Sequence, residues 1–439
     1  MSGCSSRKPL IVLLESRRRQ FIFTMLVASC SLTIGMCLEW TWCSTDIEKY
    51  QSKMLKDLLF LGAITSAGPA AIVASLVGLK SVLAIGMVIT FCGSVIIVYS
   101  MGVLTALYTG RILQGFGAGV VCVIVPNFVA EIAEPKFRSL LTGFHYLHLL
   151  IGMILSRVIR EFYNYSYVNM GTVAMVVVNL LALLAVNDPP YYRMKFCEKW
   201  SSIYNLDYNL QIQDYCHTKV LHHNYYKIFK IEDNHYLFLY FTKKRFWRPL
   251  LINVCLISIQ QFSGQFSLTY KLQCLYGILS ISEIIPTVTA VLLLQLITCI
   301  VCLCIVSVLE KKNLLIISGF GMAITLSLMN VTYHIEIKDK DELWLTSLIL
   351  IYIIFYSIGY GPVPWMLMPE LCPRSSRLWT SGITVSLYAF LSLVNNQSFY
   401  IINFNIRLVY GMDIFTIVSL IAAYVAYLYV PKLKDCVLT

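Results

Sequence analysis

The chain has 439 residues, of which 58% are hydrophobic and only 13% charged, and its mean hydropathy is +0.72. Soluble domains carry about a quarter charged residues, so this composition excludes an ordinary soluble protein and indicates a chain that crosses a membrane many times. The net charge of +11 would suggest nucleic-acid binding in a soluble protein. In a membrane protein it is explained by loops rich in Lys and Arg, so no nucleic-acid partner is expected.

Hydrophobic runs of about 20 residues, the length that spans a bilayer as an α-helix, recur along the chain. In the first half they predict helices at 21–40, 57–79, 81–101, 104–130, 139–160 and 167–186. In the second half they predict helices at 249–271, 285–308, 313–333, 343–368, 379–399 and 411–430. The sequence therefore predicts an all-α membrane protein with twelve transmembrane helices in two six-helix halves.

Polar segments divide the chain around these runs. The predicted parts are an N-terminal segment at 1–20, a first half at 21–186, a linker at 187–248, a second half at 249–431 and a tail at 432–439. Of the 34 Lys and Arg residues, 24 fall on segments that share the side of the N-terminus, nine fall on the opposite side, and Arg111 lies within a helix. Basic loops stay in the cytoplasm, so both termini and the linker are predicted to be cytoplasmic.

The tenth hydrophobic run contains Gly361, Pro362 and Pro364. Proline removes a backbone donor and clashes with the preceding turn, so the helix must break or kink there. In lipid, a broken helix is tolerated only where it faces protein or a water-filled cavity. This segment is therefore a candidate for the wall of a substrate pathway and for a conformational hinge.

A charged exit motif follows two of the helices. Glu131 and Arg138 are seven residues apart, as are Glu370 and Arg377, and a proline stands between the charges in both cases. A motif repeated in two hydrophobic halves is typical of an internally duplicated transporter. These four charges are interpreted as conformational switches, and solvated helix-end charges are the alternative.

Several motifs together resemble the sugar-porter branch of the major facilitator superfamily. They are Gly110-Arg111, Gln114 to Gly119, Arg248-Pro249-Leu250-Leu251, Gln260-Gln261-Phe262-Ser263-Gly264 and Pro364 to Pro373. Over about residues 20–431 the chain is most similar to insect-type facilitated trehalose and glucose transporters. The resemblance implies a plasma-membrane protein that moves a hexose or trehalose by alternating access between its two halves.

A neutral sugar needs uncharged donors and acceptors within the membrane, because charged groups there are costly. The resemblance assigns sugar contacts to Gln260, Gln261 and Gln295, an inner cavity wall to Trp365, and an outer gate to Tyr270. The alternative role of the amides is to form hydrogen bonds between helices. The alternative for Trp365 is a position in the membrane interface. The resemblance also matches Arg111 to a family arginine whose partner the sequence does not reveal.

The chain departs from the family pattern at several expected amides. The family's Gln in the fifth helix falls on Tyr146, and two expected Asn residues fall on Phe266 and Tyr388. Each lost amide removes a hydrogen bond worth about 1 kcal/mol. Three interpretations therefore stay open: a sugar transporter, a transporter of another small neutral and more apolar metabolite, and a non-transporting homologue such as a receptor or a decayed paralogue.

Further expectations concern chemistry and coupling. No nucleophile–base pair or phosphate loop is apparent, so no enzyme activity is expected. No metal or cofactor is expected either, since most of the 15 cysteines lie in hydrophobic runs, where free cysteine behaves as a small hydrophobe. Asn164 begins an Asn-Tyr-Ser glycosylation sequon on a short outer loop.

Proton-coupled members of the resembled family carry an acid in the first helix. Here residues 21–38 contain no acid, and Glu39 follows only at the outer end. This difference predicts a uniporter.

Overall fold

The computed structural model describes residues 7–40, 49–189, 244–265, 267–269, 287–334, 342–405 and 408–431, and all the regular elements in these ranges are helices. The helices of the first half are α1 (Arg7–Glu39), α2 (Lys49–Val77), α3 (Leu79–Val98), α4 (Leu104–Ile132), α5 (Arg138–Phe162) and α6 (Tyr165–Ala185). Those of the second half are α7 (Lys244–Phe262), α8 (Thr287–Ile305), α9 (Lys311–His334), α10 (Glu342–Ile358), α11 (Val363–Glu370), α12 (Arg374–Asn405) and α13 (Leu408–Tyr429).

The predicted all-α membrane fold is confirmed. Ten spans in the described part of the chain are long and apolar enough to cross a bilayer, with α10 and α11 forming one of them, and a shorter apolar helix lies at Thr289–Ile305. Several helices extend beyond the hydrophobic runs that predicted them. Helix α1 begins at Arg7 rather than near residue 21, because helical hydrogen bonding can continue where the chain leaves the apolar layer.

The first half is organised around one central helix, α4. In the first half α4 contacts α1, α2, α3 and α5, and nearly all of its second half is buried. In the second half α9 packs along α13 and α10. The two halves meet through α2 and α4 with α12, through α5 with α8, and through the short helix α11 with α4 and α5. These contacts leave a space between the halves.

The break predicted in the tenth run is confirmed. Helix α10 ends at Ile358, and α11 begins at Val363 with Pro362 as its N-cap. The Gly361 N–H still donates to the Tyr356 carbonyl at 2.9 Å. The Gly361 carbonyl is released from the helical ladder and accepts a hydrogen bond from Gln260 Nε2 of α7 at 3.0 Å. The broken segment therefore carries a backbone acceptor to the interior of the bundle.

Glycine permits the close crossing of α1 and α5. A Cβ at Gly152 of α5 would lie 2.0 Å from the Leu32 carbonyl oxygen of α1, and one at Gly35 would lie 2.1 Å from the Leu149 carbonyl oxygen. The obstacles are backbone atoms, so a side chain could be accommodated only by moving the helices apart. The crossing holds α5 against α1 around Leu149 and Gly152, and α5 also contacts α8 of the second half.

We expect Gly152→Ala to destabilise the protein by about 1–3 kcal/mol, the usual cost of overpacking a tight contact. The measurement is thermal unfolding of the purified protein in lipid nanodiscs. Gly68→Ala on α2 is the matched control, because a Cβ there meets nothing within 4 Å. Equal unfolding temperatures for the two variants would contradict this account of the α1–α5 crossing.

Candidate substrate-binding cavity

A cavity of about 190 Å³ lies between the two halves. Its lining comes from α1, α2, α4 and α5 on one side and from α7, α8, α10, α12 and the residues after α7 on the other. It extends toward the end of the bundle where α1 finishes and α2 begins, which we call the Glu39 end. The opposite end, where α4 finishes and α12 begins, is called the Glu131 end.

Two buried amides on the second-half wall have polar atoms without a partner. Gln260 is 5% exposed and its Oε1 accepts no hydrogen bond within 3.5 Å, although the Tyr356 phenol interacts with the same side chain; Gln295 is 2% exposed and its Nε2 has no hydrogen-bond partner among the described residues. Both side chains line the cavity. A buried polar atom left unsatisfied costs about 1–3 kcal/mol. Together the two atoms offer one acceptor and one donor to a ligand that carries hydroxyl groups.

Gln261 lines the cavity beside these amides, as the sequence suggested. Its backbone carbonyl accepts a hydrogen bond from Asn395 Nδ2 of α12 at 3.1 Å. Asn395 and Ser392, one turn apart on α12, also line the cavity, as do Gln265 and Thr269. The structure thus brings together polar side chains from α7, α8 and α12, and those of α7 and α12 are more than 100 residues apart in the chain.

Three tyrosines, Tyr146, Tyr356 and Tyr388, line the part of the cavity farthest from the Glu39 end. Trp365, predicted to form an inner wall, packs behind this layer: its ring centroid lies 5.0 Å from that of Tyr388 and 5.3 Å from that of His145. Tyr388 lies on the cavity and Trp365 supports it from the α11 side. The assignment of Trp365 as a substrate contact stays a prediction.

Arg111 and Glu39 lie where the first half lines the cavity, toward the Glu39 end. The Arg111 guanidinium is buried, donates to the Cys37 carbonyl at 2.5 Å and to Gln114 Oε1 at 3.1 Å, and stacks 4.2 Å from the Trp40 ring centre. Glu39 is 7% exposed and forms an ion pair with Arg157 of α5 at 3.7 Å. Arg111 therefore ties α4 to α1, and Glu39 ties α1 to α5.

The predicted switch residues meet across the two halves at the Glu131 end. Arg377 Nη1 of α12 lies 3.9 Å from Glu131 Oε1 of α4, and Arg138 also interacts electrostatically with Glu131. Glu370 pairs with Lys311 of the second half and accepts a hydrogen bond from Ser139 of α5 at 3.2 Å.

One further bond crosses this end of the bundle. Ser381 donates to Asn127 Oδ1 at 3.3 Å. All these partners are buried or half-buried, so the contacts close the Glu131 end of the cavity. The role of the four charges as switches stays a prediction.

The sequence did not point to some of the cavity residues, and it indicated others only as departures from the family pattern. Asn395, Ser392 and Gln265 lie in hydrophobic helical runs, and only a three-dimensional arrangement shows that they face the cavity. Tyr270, the predicted outer gate, lies outside the described residues. Asn164 is exposed at the N-cap of α6.

A cysteine pair on α8 has metal-ligand spacing. Cys299 and Cys302 stand three residues apart, as in a C-x2-C pattern, and both are buried beside Tyr146. No group of three or more His, Cys, Asp or Glu side chains in the described part of the chain could hold a metal ion. With two thiols and no further ligands, the pair is accounted for by apolar packing.

The chain is similar to known transporters, which agrees with a cavity between two helical halves. A family model described as "Sugar (and other) transporter" matches residues 16–438. The chain is 21% identical to a facilitated trehalose transporter Tret1-2 homolog of Drosophila sechellia, covering 96% of this chain and 90% of that relative. It is 23% identical to sugar transporter ERD6-like 6 of Arabidopsis thaliana over 71% of this chain and 66%, just under two thirds, of the relative's length.

Among solved structures, the proton:xylose symporter XylE bound to 6-bromo-6-deoxy-D-glucose superposes with a TM-score of 0.81. The two chains are 17% identical, and the match covers 95% of this chain and 97% of the other. The superposition shows the fold, and the family model covers nearly the whole chain. The chain belongs to the sugar (and other) transporter family and has the major facilitator fold.

Proposed function

We propose that this protein is a facilitative transporter that moves a small neutral sugar, a hexose or trehalose, across the plasma membrane as a uniporter. The observation that carries the proposal is the pair of buried, unpartnered amide atoms, Gln260 Oε1 and Gln295 Nε2, in a cavity between the halves. A sugar hydroxyl can donate to the first and accept from the second, which would satisfy both. Both termini are taken to be cytoplasmic, from the distribution of Lys and Arg.

The electrostatics of the cavity favour an uncharged substrate. The amides, hydroxyls and phenols of the second-half wall are neutral. The Glu39 carboxylate is already paired with Arg157, and the Arg111 guanidinium is held by Cys37 and Gln114. A charged substrate would have to be desolvated against groups that are mostly neutral or already engaged, which is costly.

The contacts at the Glu131 end support alternating access. Glu131 with Arg377 and Ser139 with Glu370 join the first half to the second. When the two halves move apart at this end, water can replace the partner of each charged group. The ion pairs can therefore stabilise one state without preventing the other. The cavity extends toward the opposite end, as expected of a carrier whose Glu131 end is closed.

Uniport is proposed because the cavity supplies little that could carry a proton. Glu39 is the carboxylate among the lining residues, and its ion pair with Arg157 engages it in a structural role between α1 and α5. A carboxylate that couples transport to protons must bind and release them as the site alternates.

Removing the cavity amides should weaken sugar binding. We expect Gln260→Leu and Gln295→Leu each to raise the KM for sugar uptake about fivefold or more, because each loses a hydrogen bond worth about 1 kcal/mol or slightly more. The measurement is initial-rate uptake of labelled glucose and labelled trehalose by proteoliposomes. Thr298→Val, one turn from Gln295, is the control, since its hydroxyl bonds only to carbonyls of its own helix. An unchanged KM in both Leu variants, with folding intact, would show that the amides do not contact the substrate.

Removing Arg377 should open the Glu131 end. Breaking a buried ion pair leaves an uncompensated charge and costs about 3–5 kcal/mol, so Arg377→Gln should shift the population toward a state in which water reaches Glu131. Hydrogen exchange followed by mass spectrometry should then show faster exchange over residues 123–133 and 363–371. Lys312→Gln is the control, because Lys312 stacks on Tyr427 within the second half. Identical exchange in the two variants would remove the switch role from Arg377.

A uniporter equilibrates its substrate and cannot concentrate it. We expect proteoliposomes to take up labelled sugar only to the outside concentration, with or without an imposed pH gradient. Accumulation above that level, abolished by a protonophore, would contradict uniport. Loss of such accumulation in Glu39→Gln would then assign the proton site to Glu39.

A further inference from the structure

The two walls of the cavity differ in chemistry. Among the described residues that line it, the uncharged polar residues other than tyrosine all come from the second half: Gln260, Gln261, Gln265, Thr269, Gln295, Ser392 and Asn395. Apart from Tyr146 and the charged residues near the Glu39 end, the described part of the first half supplies only apolar side chains to the cavity: Leu38, Leu59, Phe60, Leu149 and Met153. The cavity is therefore amphipathic across its width.

The apolar wall is a defined surface formed by three helices. Leu59 of α2 and Leu149 of α5 are 3% and 8% exposed, and Met153 extends the α5 surface by one turn. The backbone of Leu149 is fixed by the close α1–α5 crossing at Gly35. The two leucines can neither donate nor accept a hydrogen bond, and the Met153 thioether is only a weak acceptor. The surface therefore suits an apolar group better than a hydroxyl group.

Charged residues on the same side do not change this conclusion. Glu39 is paired with Arg157, and Arg111 is bound by the Cys37 carbonyl and covered by Trp40. Both lie toward the Glu39 end, as does Lys56, which interacts electrostatically with Glu39. Leu149 and Met153 are carried by the same helix as Tyr146 and stand between it and this charged end, opposite the amides of α7 and α8.

A free sugar fits one wall better than the other. Hydroxyls directed at Gln260 and Gln295 find partners, whereas hydroxyls directed at Leu149 and Met153 lose their hydration without replacement, which is unfavourable. A ligand whose second face is apolar avoids that cost and gains from removing apolar surface from water.

We propose that the preferred substrates are sugars carrying an apolar substituent, such as aryl or alkyl glycosides. The sugar ring lies against α7, α8 and α12, and the substituent lies against α1, α2 and α5. This inference rests on the proposed function, since it names the substrate class of the same cavity. It makes Leu149 and Met153 determinants of specificity and assigns hydroxyl binding to the second half alone.

The test is isothermal titration of the full-length protein in lipid nanodiscs, with empty nanodiscs as the blank. The ligands are D-glucose, methyl β-D-glucopyranoside and phenyl β-D-glucopyranoside. We expect phenyl glucoside to bind at least tenfold more tightly than glucose, which corresponds to about 1.4 kcal/mol, and methyl glucoside to lie between them. Detergents with glucoside headgroups are left out of the purification because they would compete for the cavity.

Two leucines on α5 provide matched variants. Leu149→Ala removes part of the apolar wall and should reduce the phenyl glucoside preference over glucose at least threefold. Leu155→Ala makes the same change at a side chain that is 39% exposed on the outside of the helix and should leave the preference unchanged. Met153→Gln, which places an amide on the wall, should abolish the preference.

Each outcome decides between the inference and the proposed function. Equal or weaker binding of phenyl glucoside relative to glucose overturns the inference and leaves sugar binding in place. A preference that survives both Leu149→Ala and Met153→Gln also overturns it, because the gain would then come from elsewhere. Binding of phenyl glucoside alone supports the inference and corrects the proposed substrate. If neither ligand binds, the proposed function fails and the inference fails with it.

Discussion

The buried ion pair between Glu131 of α4 and Arg377 of α12 is the contact on which the arrangement of this protein depends. It joins the two halves at one end of the bundle, together with the bonds from Ser139 to Glu370 and from Ser381 to Asn127. Because this end is closed, the space between the halves extends only toward the opposite end. Charges buried in a low-dielectric interior need partners. Separating the residues that close this end is therefore unfavourable unless water can replace those partners.

The broken tenth span has a second role that follows from the first. Its helix ends at Ile358 and resumes at Val363, which places the short helix α11 against α4 and α5 next to the ion pair. The break also frees the Gly361 carbonyl to hold Gln260. The same proline-containing segment thus contacts the closed end of the bundle and orients a cavity amide. A movement of α11 would change the position of Gln260.

The halves contribute unequally to the cavity. Several polar side chains of the first half bond within that half: Arg111 donates to the Cys37 carbonyl and to Gln114, Gln114 donates to Asn169 and Ser94, and His145 shares a hydrogen bond with Ser31. These bonds fix the first half as a unit and leave Leu149 and Met153 to face the cavity. The second half keeps unpartnered amide atoms at the cavity. This asymmetry underlies both the assignment of sugar binding to the second half and the amphipathic substrate class.

The sequence by itself determined the fold class, the break at Gly361 and Pro362, and the family, because hydrophobic run length, proline and local motifs are properties of neighbouring residues. It also identified Gln260, Gln261 and Gln295 as lining candidates and Glu131 and Arg377 as charges of interest, since a polar residue in an apolar run requires an explanation. It could not supply their partners. That Glu131 faces Arg377, that Arg111 bonds to the Cys37 carbonyl, and that Asn395 shares a cavity with Leu149 were decided only by the tertiary structure. Each of these contacts joins helices far apart in the chain, and the rotation of a helix about its axis, which sets the direction of its side chains, is fixed by packing against neighbouring helices rather than by local sequence.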